Sequence, residues 1–143
     1  HGATYKATQV QADKRKNTFT ANIATAYPAE AEVESWIRSY SLQKGQLRIS
    51  DSFRLTTAKQ PNQINFMTWG QVNTEIPGKI QLEVKGKKAF IEYDKQLFDV
   101  KTETIPLTDP RLSNVWGKSI YRITLTATNI YKTGNYSFII KKQ

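Results

Sequence analysis

Apolar and polar residues alternate along several short runs of the chain, with the period of two that is typical of β-strands. The clearest runs are LRISDSFRL at 47–55, IQLEV at 80–84, YRITLTAT at 121–128 and YSFIIKK at 136–142. Most of them are rich in Ile, Thr and aromatic residues, which strands favour. We therefore predict strands that each bury one face.

Short turn sequences separate these runs. Lys44-Gly45 and Gly86 mark reversals, Pro77-Gly78 fits the centre of a type II turn, and Gly134 suggests a tight turn between the last two strands. About nine or ten strands joined by such short connections predict an all-β fold, an antiparallel β-sandwich. Helix should be limited to a turn or two near residues 28–34. The length of 143 residues predicts one domain over 1–143.

Three charged residues conflict with this pattern. Asp51 falls on the apolar face of its run, and Arg38 shares a face with Trp36 in SWIRSYSL. Arg122 stands inside the apolar run YRITL. A buried charge needs a partner, so we expect a structural ion pair among Asp51, Asp109, Arg38 and Arg122. Asp51 or Asp109 is the expected partner of Arg122, although an arginine that holds an acidic sugar remains an alternative.

The chain has 21 Lys and Arg residues and 12 Asp and Glu residues, which gives a net charge of +9. Such a positive charge favours anionic partners. Acidic polysaccharide is the partner class considered most closely, since no nucleic-acid recognition motif accompanies the charge. The weak candidates for ligand binding are Trp69, Lys85, Lys87 and Lys88. The alternative is that these lysines form a solvated turn and that the tryptophans belong to the core.

Several kinds of chemistry are not expected from this composition. The chain has no cysteine, and its single histidine is His1. Ser-His-Asp catalysis, disulfides and thiolate or histidine-rich metal sites therefore lack their residues. We predict no cofactor and no metal site. No apolar run approaches the ~20 residues of a membrane-spanning helix, so a membrane is not an expected partner.

Separated segments occur in a characteristic order along the chain. Ala26-Tyr27-Pro28 comes first, then Trp36 with Arg38, and then Asp51 with Phe53 and Leu55. The last segment contains Asp109, Arg111, Leu112, Trp116, Gly117, Tyr121, Arg122 and Ile123. This order, over most of residues 20–130, resembles the C-terminal β-region of heparinase II/III-like polysaccharide lyases.

The resemblance implies a fold and a function. Such enzymes join an α/α-toroid to an antiparallel β-sandwich region and cleave uronic-acid polysaccharides, glycosaminoglycans among them, by β-elimination. Their tyrosine base and neutralising asparagine come from the toroid, and a histidine comes from a strand that usually precedes the stretch matched here. No catalytic residue can therefore be assigned in this chain.

The chain is accordingly expected to be a non-catalytic C-terminal domain of a larger lyase, inactive alone. It would support the glycan cleft beside an upstream toroid of the same parent chain. The implied location is periplasmic or secreted, in a bacterium. The alternative function is a stand-alone carbohydrate-binding module for anionic glycans. Exposed tryptophans would favour the module, and buried ones the supporting domain.

Overall fold

The computed structural model describes Gly2 and residues 4–143. This part of the chain holds eleven β-strands, one α-helix and two single-turn 3-10 helices. In chain order the strands and the helix are β1 Thr8–Asp13, β2 Thr18–Asn22, β3 Val33–Gln43, β4 Gln46–Leu55, β5 Gln63–Thr68, β6 Gln71–Ile76, β7 Lys79–Val84, β8 Lys87–Glu92, β9 Phe98–Pro106, α1 Pro110–Trp116, β10 Ser119–Ala127 and β11 Thr133–Lys142.

The chain divides into two compact units. The first unit comprises His1–Gln60 and Ile130–Lys141, and the second comprises Pro61–Asn129 and Lys142–Gln143. In the first unit, five strands lie antiparallel in the order β1-β2-β3-β4-β11. One face of this sheet is buried and carries Ala21, Trp36, Ile49, Phe53, Leu55, Tyr136 and Phe138.

The second unit contains two groups of antiparallel strands. One is the three-stranded sheet β5-β10-β9, and the other has the order β8-β7-β6. The inward positions of β10 alternate as the sequence predicts: Ile123, Leu125 and Ala127 are buried, while Arg122 is exposed. The other buried apolar residues of this unit are Ile64, Ile80, Ile91 and Phe98.

The predicted all-β fold, an antiparallel β-sandwich, is confirmed. The described residues form eleven strands rather than nine or ten. The four alternating runs correspond to β4, β7, β10 and β11. One domain over residues 1–143 stays a prediction.

The turn predictions have different outcomes. Lys44-Gly45 and Lys85-Gly86 have positive φ at both residues and close two-residue hairpins, as type I′ turns require. Pro77-Gly78 connects the paired residues 76 and 79, and the φ of 86° at Gly78 fits a type II turn. The predicted turn at Gly134 is wrong, because Gly134 lies inside β11, opposite Phe53.

A packing contact explains why a glycine stands in that strand. A Cβ atom on Gly134 would lie 2.9 Å from Cζ of Phe53. The space that a side chain would take is therefore filled by the aromatic ring. A glycine within a strand signalled a close approach here, and the sequence interpretation mistook it for a turn.

The prediction that helix is limited to residues near 28–34 is wrong. That region holds a single-turn 3-10 helix at Ala29–Ala31, preceded by another at Ala24–Ala26. The α-helix lies elsewhere, at α1. The Asp109 carboxylate accepts a hydrogen bond from the Arg111 backbone N–H at 2.9 Å, and Pro110 occupies the first turn. Asp109-Pro110 thus starts this helix.

Candidate functional site

Asp51 in the first unit is fully buried and is held by an arginine on the neighbouring strand. Cross-strand register places Arg38 of β3 directly opposite Asp51 of β4. The guanidinium donates two hydrogen bonds, Nε to Oδ1 and Nη2 to Oδ2, both at 2.7 Å. This bidentate contact raises the pKa of Arg38. Asp51 therefore pairs with Arg38, one of the charged residues that interrupt the sequence pattern.

Aromatic side chains lie beside this ion pair on the same face of the sheet. Trp36 lies opposite Phe53, with ring centroids 4.9 Å apart, and Phe53 lies 4.8 Å from Tyr136 on the other side. Trp36 is buried. The Trp36 and Arg38 segment and the Asp51 and Phe53 segment therefore form one packed cluster in which the charge is neutralised. Removing either partner would leave the other charge in the cluster without its counter-charge.

Arg122 in the second unit has a different environment. Its neighbours across the sheet are Met67 of β5 and Glu103 of β9. The Nη1 atom lies 3.4 Å from Oε2 of Glu103, and the two side chains are 46% and 56% exposed. The prediction that Arg122 pairs with Asp51 or Asp109 is wrong, because register sets Glu103 beside it.

Asp109 interacts with residues that directly follow it in sequence. Its carboxylate caps α1 and lies 2.7 Å from Nη2 of Arg111. The hydrogen bonds from the Arg111 side chain and backbone lower the pKa of Asp109. This carboxylate therefore stabilises the start of the helix, two residues away in sequence.

An apolar cavity opens on the Arg122 face of the β5-β10-β9 sheet, where α1 lies against β10. We call it the tryptophan cavity. Its volume is about 280 Å³, and its lining residues are Met67, Thr68, Trp69, Leu107, Leu112, Trp116 and Ile120. Trp69 and Trp116 are 44% and 48% exposed. Two large aromatic side chains thus meet solvent at one place, an arrangement that marks binding surfaces.

Local structure fixes both tryptophans. The Gly70 N–H donates to Oγ1 of Thr68 at 3.0 Å, which closes a turn around Trp69. A Cβ atom on Gly70 would lie 2.8 Å from the Glu83 carbonyl oxygen, so only glycine allows this turn to approach the end of β7. Trp116 stands four residues after Leu112 on α1, so the two side chains share a helix face.

A second cavity of the same unit carries positive charge. We call it the lysine cavity. Its volume is about 860 Å³, and its lining residues are Thr68, Leu82, Val84, Gly86, Lys87, Lys88, Ala89, Lys142 and Gln143. Nζ of Lys88 lies 4.0 Å from Oε2 of Glu83, while the Lys87 side chain is exposed. Thr68 at the end of β5 lines both cavities.

The candidate binding residues from the sequence fall into these two places. Trp69 lines the tryptophan cavity, and Lys87 and Lys88 line the lysine cavity. Lys85 occupies the hairpin tip and lines neither. Lys142 and the apolar residue Leu112 were missed. The charge of Lys142 offered only a weak signal, because a terminal lysine is commonly solvated.

The described residues contain no group of side chains suited to hold a metal ion. No three His, Cys, Asp or Glu side chains come together within residues 4–143. In the same part of the chain, no helix is long and apolar enough to cross a membrane. Comparison with models of known protein families finds no match, and no curated protein matches the chain.

Proposed function

We propose that the chain is a non-catalytic β-sandwich domain of a heparinase II/III-like polysaccharide lyase. The observation that carries the proposal is the packed cluster of the first unit. Trp36 stacks on Phe53 and Arg38 pairs with Asp51, so residues from two separated segments of the resemblance serve one structural purpose. Side chains arranged in this way hold a scaffold together.

In this proposal the parent enzyme performs β-elimination on a uronic-acid polysaccharide. The base and the groups that neutralise the uronate belong to an upstream α/α-toroid, and this chain supports the glycan cleft. The single histidine of the chain, His1, lies outside the described residues. A periplasmic or secreted location in a bacterium belongs to the same proposal.

The test compares this chain with a longer product of its own reading frame. We expect the frame upstream of residue 1 to encode a helical toroid. The longer protein should release unsaturated uronate from at least one of heparin, heparan sulfate, chondroitin, hyaluronan and alginate, followed by ultraviolet absorbance. The chain alone should release none. Product from the chain alone, or an upstream frame without a toroid, would overturn the proposal.

A second candidate function is a stand-alone module that binds anionic glycans. The exposure of Trp69 and Trp116 favours it, because such side chains offer flat apolar faces to sugar rings. Trp36 does not contribute, since it is buried in the first unit. Glycan binding by this chain, combined with the absence of a toroid upstream, would select the module over the lyase domain.

A further inference from the structure

The tryptophan cavity has an apolar lining and a cation beside it on the same sheet. Six of its seven lining residues are apolar or aromatic, and the seventh, Thr68, already accepts a hydrogen bond from the Gly70 N–H. Arg122 lies directly opposite Met67 and two residues from Ile120 on β10, so its side chain shares their face. A molecule bound in the cavity would therefore meet apolar side chains around its body and a guanidinium at one side.

The guanidinium of Arg122 is only loosely held by Glu103. Their closest atoms are Nη1 and Oε2, 3.4 Å apart, and both side chains are about half exposed. Arg38 shows the contrast, since its Nε and Nη2 atoms donate to Asp51 at 2.7 Å. In Arg122 that same Nε–Nη2 edge is not the one nearest to Glu103. It is therefore suited to donate two parallel hydrogen bonds to a second carboxylate.

We propose that the tryptophan cavity binds a small aromatic carboxylate of about two fused rings. In this site the rings lie against the indoles of Trp69 and Trp116, and the carboxylate accepts hydrogen bonds from Arg122. The size of the ligand follows from the cavity volume of about 280 Å³. That volume is nearly twice the roughly 150 Å³ of a cavity that holds one benzene molecule.

The lining favours a flat ring over a flexible acyl chain. Aromatic rings that stack in an offset or edge-to-face arrangement contribute energy beyond the area they bury, and the thioether of Met67 makes favourable contacts with ring edges. An acyl chain would gain neither and would lose rotational freedom on binding. The cap of α1 by Asp109 and the turn at Gly70 fix two of the walls, so the site is formed before the ligand binds.

The inference goes beyond the proposed function and does not rest on it. The ligand is a small aromatic molecule, which is neither the substrate of the proposed lyase nor a glycan. The lyase proposal is decided by the upstream frame and by activity of the longer protein. The aromatic site is decided by binding to this chain, so each can fail while the other stands.

The experiment is a titration of the full chain with naphthoate, followed by calorimetry and by nuclear magnetic resonance of the three indole N–H groups. We expect saturable binding with a midpoint below about 1 mM. The indole signals of Trp69 and Trp116 should shift during the titration. The signal of Trp36 should stay in place, because that ring is buried in the first unit. Single substitutions of tryptophan by phenylalanine assign the three signals.

Two neighbouring charge variants give the sharper test. Arg122→Gln should weaken naphthoate binding about tenfold, because hydrogen bonds to a charged group are lost. Glu103→Gln should strengthen it about twofold to threefold, because a nearby negative charge is removed. Naphthyl methanol has the same rings without the charge, and it should bind both variants and the unmodified chain equally. Opposite effects on the charged ligand alone cannot come from a general change of the fold.

The ring contact is tested by Trp116→Ala, which should weaken both ligands about tenfold, because an aromatic anchor of the site is lost. Matched controls come from the first unit. Tyr27→Ala removes an aromatic ring of similar exposure, and Arg54→Gln removes an exposed arginine. Both should bind like the unmodified chain. Hydrogen exchange of the β10 amides checks that each variant of the second unit is folded, and only variants with unchanged protection are compared.

Four results would overturn the aromatic site. The first is unmodified chain that shows no saturable binding of naphthoate. The second is equal affinity of naphthoate for Arg122→Gln, Glu103→Gln and the unmodified chain. The third is decanoate that binds more tightly than naphthoate, which would assign the cavity to an acyl chain. The fourth is a dimer, detected by sedimentation and abolished by Trp116→Ala, which would mean that a second copy of the chain fills the cavity.

Discussion

Each of the two units contains an arginine that interrupts an apolar strand, and the two arginines have opposite environments. Arg38 in the first unit donates two hydrogen bonds of 2.7 Å to the fully buried carboxylate of Asp51. Arg122 in the second unit lies on an exposed sheet face, 3.4 Å from an exposed glutamate. Alternation identifies the face on which a side chain lies. Whether that face is covered depends on other parts of the chain.

Register then selects the partner of each arginine. Side chains directly opposite each other across two antiparallel strands are the pairs that interact most strongly. Arg38 is opposite Asp51, and Arg122 is opposite Glu103. Each arginine therefore finds its carboxylate inside its own unit. The comparison predicts a large energetic difference between the two pairs, because a buried charge cannot be left unpaired while an exposed one is solvated.

The largest expected effect is that of Asp51→Asn. This change keeps the shape of the side chain but leaves Arg38 without its counter-charge, and we expect a loss on the order of 3–5 kcal/mol in the stability of the first unit. Hydrogen exchange of the β4 amides measures it within that unit. The matched control is Glu103→Gln, which should change stability by less than about 0.5 kcal/mol.

Replacing both partners sharpens this test. Arg38→Met combined with Asp51→Leu removes both charges together and should recover most of the lost stability. Single and double variants of equal stability would mean that Asp51 serves packing and not charge. That result would remove the difference between the two units.

The next effect concerns Gly70. Gly70→Ala places a Cβ atom 2.5 Å from Cγ2 of Val84 and 2.8 Å from the Glu83 carbonyl oxygen. The backbone oxygen cannot move aside as a side chain can, so we expect a loss of about 1–3 kcal/mol in the second unit, measured by exchange of the β7 amides. Adding Val84→Ala should restore only part of it. Full recovery of stability would show that the contact with the Val84 side chain alone causes the loss, and that the Glu83 carbonyl oxygen does not contribute.

The effect of Asp109 should be smaller and local to α1. Asp109→Ala removes the cap and the contact with Arg111, so the amides of residues 112 and 113 should exchange faster, whereas Asp109→Asn keeps a capping oxygen.

The folded pKa of Asp109 lies below its ordinary value of 3.8. Its stabilisation is therefore complete above pH 3.8 and is lost as pH falls through the lower folded pKa. The chemical shift of the Arg111 amide should follow that titration, and a midpoint above 3.8 would contradict it.

The sequence predicted that the Asp51 carboxylate is buried, but it did not predict which arginine pairs with it. A carboxylate among Ile49 and Phe53 is visible from a period of two, but the identity of the neighbouring strand and its register are not. The choice of Arg122 as partner failed for that reason. Helix α1 was missed because seven residues are too few for a helical period, although Asp109, Pro110 and Gly117 carry capping signals.

The two cavities of the second unit were predictable only in part. Trp69, Lys87 and Lys88 stand out by residue type, since exposed aromatic and basic residues suit a glycan. Their relation depends on the end of β5 lying near the β7–β8 hairpin and on α1 covering one end of β10. Those approaches are tertiary, and one of them depends on the missing side chain of Gly70.

The smallest expected effect is that of Arg122→Ala, and it completes the comparison. Arg122 and Glu103 are both about half exposed, and their closest atoms are 3.4 Å apart. Water and salt screen such a pair, so the stability of the second unit should change by less than about 0.5 kcal/mol.

A double-mutant cycle in urea between Arg122→Ala and Glu103→Gln should give a coupling below about 0.5 kcal/mol. A cycle between Arg122→Ala and Asp51→Asn should give none, because each arginine has its partner within its own unit. A coupling above about 1 kcal/mol in the second cycle would mean that Asp51 depends on Arg122 after all, and the contrast between the two units would fail.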